Sequence, residues 1–265
     1  MWALYAFADK IAFHGLRVVG YGAGLTSGSM SKGLVQVAEF AVFPNVPVGL
    51  TVLLTVVFMV PVLRSVWQYP HPAVFNSALV YCMFTSFMLG FHVHEKAILQ
   101  VLLPLGMISV ESVFDARFHC LLAYTSHVAL FPLLFTAQEV VTRLLLVLAH
   151  ATMSTYVLKL YLKESLRTQR IRNSGLVFTR VQQVYVILLG LTALGTSTLL
   201  RLSRVHNLLP FLPQMITSVV CAVGMVYCWA LAYLQHTRKI AAIKTYCEEQ
   251  NERPARIGKF HFEID

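Results

Sequence analysis

Two histidines, a glutamate and a lysine fall within five residues: His92, His94, Glu95 and Lys96. They stand between two apolar stretches, where ionisable groups are costly unless they are solvated or functional. Three chemistries suit them. A zinc site would use the histidines and the glutamate, but His-x-His-Glu is not the His-Glu-x-x-His helical pattern, and no third ligand is evident. A proton relay would pass charge along the histidines and the carboxylate. An anion site would set the Lys96 ammonium and the imidazole donors against a phosphate, with Glu95 fixing a histidine tautomer or pairing with Lys96.

The elements that carry this cluster are membrane elements. The chain has 265 residues, 57% of them apolar and 12% charged, and its mean hydropathy is +0.66. A soluble domain carries about 25% charged residues. Half that share cannot coat a soluble sphere of this size, which excludes a cytosolic globular enzyme, a disordered chain and a disulfide-stapled secreted module. The expected class is all-α, a polytopic membrane helix bundle. Cys82, Cys120, Cys221, Cys228 and Cys247 show no paired spacing and read as free small hydrophobes.

Seven apolar runs suit spans, near 47–67, 72–91, 97–110, 117–136, 140–161, 181–201 and 210–234. The third is short for a bilayer needing roughly 20 residues. Pro61, Pro104 and Pro132 are expected inside helices. Basic residues cluster in 163–180 and after 237, so both segments read as cytosolic. That topology puts 14 of the 21 Lys and Arg on the cytosolic side. It divides the chain into a lumenal segment (1–46), a spanning region (47–236) and a basic cytosolic tail (237–265). Residue 92 then faces the lumen, as do Arg201 and Arg204. Each of these arginines read alone is a snorkelling anchor; together they add positive charge to the face that holds Lys96. Near the N-terminus, Leu4, Ala8, Ile11, Ala12, Leu16 and Val19 recur at helical spacing opposite Lys10, His14 and Arg17. This predicts an amphipathic helix at the membrane interface or packed on protein, followed by a loop over 20–34.

The run Phe91-His92-Val93-His94-Glu95-Lys96-Ala97-Ile98-Leu99 resembles the signature of the dolichyl-phosphate-glucose-dependent alpha-1,3-glucosyltransferases of the endoplasmic reticulum. Trp2 to Tyr5 with Asp9 and Lys10, Thr26 to Gln36, Leu130 to Thr136, and Thr217 to Gly224 are similar to stretches of the branch that adds the second glucose. His92 separates that branch from the first-glucose branch, where Gln is expected. The resemblance implies a GT-C-type fold, a dolichyl-phosphate glucose donor, and a monoglucosylated high-mannose acceptor on dolichyl diphosphate. It also implies inversion at the anomeric carbon, and it requires no cofactor. His94, Glu95 and Lys96, with His92, would face the donor phosphate and glucose.

The resemblance also implies a chain about twice as long, with its catalytic aspartate in a first lumenal loop. Asp9 matches a position outside that loop. The expectation is that residues 1–265 carry the donor-binding, C-terminal half and lack the general base. Two other readings stay open. One is a membrane protein that keeps the fold and binds lipid without catalysis. The other is a transporter with a buried relay, against which the isolated mid-helix residues His127 and His150 count.

Overall fold

The computed structural model describes residues 2–20, 40–91, 93–133, 138–165, 178–199 and 212–260. Their regular structure is all helical. The helices are α1 (Trp2–Val18), α2 (Val48–Gln68), α3 (Pro72–Leu89), α4 (Ile98–Ile108), α5 (Val113–Ala129), α6 (Glu139–Ser165), α7 (Arg180–Leu194) and α8 (Leu212–Phe260). Short 3₁₀ turns, Glu95–Ala97 and Phe131–Leu133, precede α4 and follow α5, and a π turn, Gly195–Leu199, prolongs α7. Five helices are long and apolar enough to cross a membrane: α2, α3, α6, α7 with its π turn, and α8. The chain is a polytopic membrane bundle. The expected loop over 20–34 falls almost wholly outside the described residues.

The third and fourth apolar runs fold differently from simple spans. α4 has 11 residues, about 16 Å of helix. α5 starts at Val113, because the Ser112 side chain caps the Asp115 N–H at 3.1 Å. It ends at Ala129, since Pro132 disfavours helix in the residue before it; Pro132 therefore sits in the 3₁₀ turn, while Pro61 and Pro104 lie inside α2 and α4. α5 is buried among its neighbours, and α4 packs one face on protein while Leu99, Leu103 and Met107 face outward. Ile98, Val101 and Leu105 of α4 join Phe84 and Met88 of α3, Phe118, Leu121 and Leu122 of α5, and Cys228 and Leu231 of α8 in one core. α2, α6 and α7 present Val52, Val56, Leu145, Leu148, Val184 and Leu191 outward, as helices bordering lipid do. α8 continues as helix into the basic tail, to Phe260.

Polar side chains lock one end of this bundle. His236 of α8 shares hydrogen bonds with Ser65 of α2 (2.6 Å) and Ser77 of α3 (2.9 Å). Next to it, Gln235 Nε2 donates to Asp115 at 2.6 Å, and one turn on Lys239 donates to Asp115 (3.1 Å) and Glu111 (2.7 Å). Because the helices alternate in direction, α3, α5 and α7 finish, and α4, α6 and α8 begin, at the opposite end. That opposite end carries His94.

Candidate anion-binding turn

The turn is set by how α3 stops. Gly90 closes the helix by donating its N–H to Ser86 O at 2.9 Å, then leaves with extended backbone, φ −58° and ψ 146°. A Cβ on Gly90 would lie 2.5 Å from both Ser86 O and Val93 Cγ2, so only glycine lets Val93 fold back this tightly. His94 is also extended, and its carbonyl accepts from Ala97 N at 2.9 Å to start the 3₁₀ turn. The turn runs directly into α4, whose first residue, Ile98, is 1% exposed. His94, Glu95 and Lys96 are thus exposed residues fixed to a buried stem, at the end of α4 where backbone N–H groups point outward and favour anions.

The side chains sort themselves within the turn. His94 Nδ1 lies 3.3 Å from Glu95 Oε2, with both side chains more than half exposed. Glu95 thus lies against His94 rather than against Lys96. Lys96 makes no hydrogen bond or ion pair with any described residue. An ammonium without a counter-charge, beside an imidazole–carboxylate pair at a helix start, suits a phosphate oxygen. His92, Arg201 and Arg204 lie outside the described residues. Among those described, no group of three or more His, Cys, Asp or Glu side chains converges to hold a metal ion.

α1 braces this turn from above. Trp2 Nε1 donates to Gly90 O at 2.9 Å. Tyr5 packs edge-on to Phe40 and against Phe43, and its hydroxyl donates to Pro44 O at 2.8 Å. Asp9 is 4% exposed and accepts from the backbone N–H groups of Ala41, Val42 and Phe43 at 2.8 to 3.0 Å. Burial alone would raise its carboxyl pKa, but those three donors outweigh it and hold the group below the usual carboxylate range. The helix expected at 4–19 is present, with one correction. Its buried residue is Asp9, whereas Ile11 of the apolar stripe is 58% exposed. A ring of buried N–H donors outbids a methyl-rich stripe for the inward position.

Two features escaped the sequence. Arg143 is 4% exposed at the same end, donating to Phe131 O and Ser197 Oγ at 3.0 Å each, with its guanidinium 5.0 Å over the Phe131 ring. Its signal was an arginine inside an otherwise apolar run. The second is a correction: His127 and His150 are not isolated, since α5 and α6 bring their ring centroids to 4.5 Å. They are 23 residues apart in sequence, and only helix packing joins them.

The model of the ALG6, ALG8 glycosyltransferase family matches residues 1–232. The chain belongs to that family. Its all-α, multi-pass architecture agrees with the expected GT-C type. Among curated relatives it is 37% identical over 239 residues to the Dolichyl pyrophosphate Glc1Man9GlcNAc2 alpha-1,3-glucosyltransferase of Mus musculus. It is 36% identical over 236 residues to the probable enzyme of that name from Drosophila melanogaster, and 30% identical over 235 residues to the one from Arabidopsis thaliana. These matches cover 86 to 88% of this chain but only 43 to 46% of each relative. The chain thus spans less than half the length of these relatives. No solved structure matches it.

Proposed function

We propose that this chain supplies the donor-binding, C-terminal half of an inverting alpha-1,3-glucosyltransferase in the endoplasmic reticulum membrane. The donor is dolichyl-phosphate glucose, and the acceptor is the monoglucosylated oligosaccharide on dolichyl diphosphate. The His94 end faces the lumen. In the reaction, an acceptor hydroxyl oxygen forms the new bond to the anomeric carbon as the carbon–oxygen bond to phosphate breaks. The phosphate leaves with the electron pair, and the hydroxyl proton goes to a general base. Lys96 and the N–H groups opening α4 neutralise the leaving phosphate, and such preorganised stabilisation of developing charge is a large catalytic contribution. His94, held by Glu95, donates to the phosphate or the sugar. His92, Arg201 and Arg204 complete the donor site.

The observation that carries this reading is the unneutralised Lys96 beside the His94–Glu95 pair at the start of α4. Family membership and the names of the relatives support the substrate class. Asp9 is not proposed as that base, since both of its oxygens are already occupied by backbone N–H groups. Titration of purified protein with dolichyl-phosphate glucose is the test. Lys96→Ala should weaken donor binding at least tenfold; an unchanged titration would make Lys96 a surface anchor and remove the proposal's support.

A further inference from the structure

α1 and the first turn of α8 border an open groove of about 700 Å³ whose lining includes no residue of the His94 turn. Ile11, Val18 and Val19 on one side and Met215 on the other make its apolar walls; Lys10 and His14, one helical turn apart, stand on the same wall of α1. Ile11 and Val18 of α1 and the following Val19 are 58%, 88% and 70% exposed, so each leaves more than half its surface open.

The charge on this surface has one sign. α1 carries Lys10, His14 and Arg17, and its only acid is Asp9. Asp9 faces inward and its carboxylate is occupied by the N–H groups of residues 41–43. Lys10 and Arg17 are left without a counter-charge on their own helix, and His14 adds an imidazole donor. The groove also lies at a membrane boundary: Trp2 ties α1 to Gly90, where α3 ends, and Met215 is in the turn where α8 begins. An apolar slot with a cationic lip at that depth matches a lipid that has an acyl chain and an anionic head.

We propose that the α1–α8 groove binds one acidic phospholipid of the bilayer leaflet, its acyl chain between Ile11 and Met215 and its headgroup at Lys10 and His14. This goes beyond the donor site and does not depend on it. The test reconstitutes the full chain in phosphatidylcholine vesicles containing a trace of photoactivatable phosphatidylserine or, at equal mole fraction, photoactivatable phosphatidylcholine. Adducts are mapped by mass spectrometry. Serine-lipid adducts on residues 7–19 or Met215 should exceed choline-lipid adducts several-fold. They should fall at least fivefold in the Lys10→Gln, His14→Gln double variant, and also in the wild type at 0.5 M salt, a measurement that needs no variant to fold. Equal labelling by both lipids, labelling unaffected by the substitutions and by salt, or no adduct in the groove would overturn the proposal. So would displacement of the serine lipid by stoichiometric dolichyl phosphate, which would make the groove part of the donor site.

Discussion

At the scale of single residues, the account turns on which polar groups are already satisfied. Asp9 is spent on structure, whereas Lys96 is held in reserve. Asp9→Asn should lower the thermal stability of the detergent-solubilised protein by about 2 kcal/mol at neutral pH, the usual worth of hydrogen bonds to a charged group. The sign follows from its depressed pKa. The stabilisation is fully present above the unfolded carboxyl value of 3.8 and is lost as pH falls through the lower folded value. Wild type and variant should therefore converge in stability below pH 3.8; a constant gap across that range would assign the effect to packing. The sequence made His94, Glu95 and Lys96 legible because four ionisable groups between apolar runs have no cheap structural explanation. It hid Asp9's role, since a lone acid gives no sign of donors arriving from residues 41–43.

At the scale of elements, two glycines set the geometry. Gly90→Ala forces its Cβ into Ser86 O and Val93, so the His94 turn must shift while the core of α3 stays in place. Donor affinity should fall at least fivefold with little change in melting temperature; unaltered affinity would show that the turn tolerates rearrangement. Gly224 is a notch in α8. A Cβ there would overlap the Tyr185 ring of α7, whose hydroxyl donates to Val220 O at 3.3 Å. Gly224→Ala should destabilise the fold by about 1–3 kcal/mol through overpacking, measured by thermal unfolding in detergent. Long apolar runs announced α2, α3, α6, α7 and α8. The third run was already short for a span, but the runs did not announce that α5 is a helix buried among its neighbours, because α5 carries Asp115, Arg117, His119 and His127. The His127–His150 pair and the His236 lock were hidden for a related reason. Both join helices far apart in sequence, and periodicity within a helix says nothing about what faces it.

At the scale of the whole molecule, the bundle has a polar lock at the His236 end and the proposed anion-binding turn at the other. In the proposed orientation, the basic residues after 237 hold the His236 end in the cytosol and the His94 end faces the lumen. Cys247, exposed on α8 beyond the lock, would in that orientation report on the cytosolic side. An Ala97→Cys variant, expressed in sealed microsomes, would be treated with a membrane-impermeant maleimide before and after the vesicles are opened. Cys247 should be modified in intact vesicles, and residue 97 only after opening, at a rate that dolichyl-phosphate glucose slows several-fold. Modification of residue 97 in intact vesicles, or a rate indifferent to the donor, would contradict a lumenal donor-binding turn.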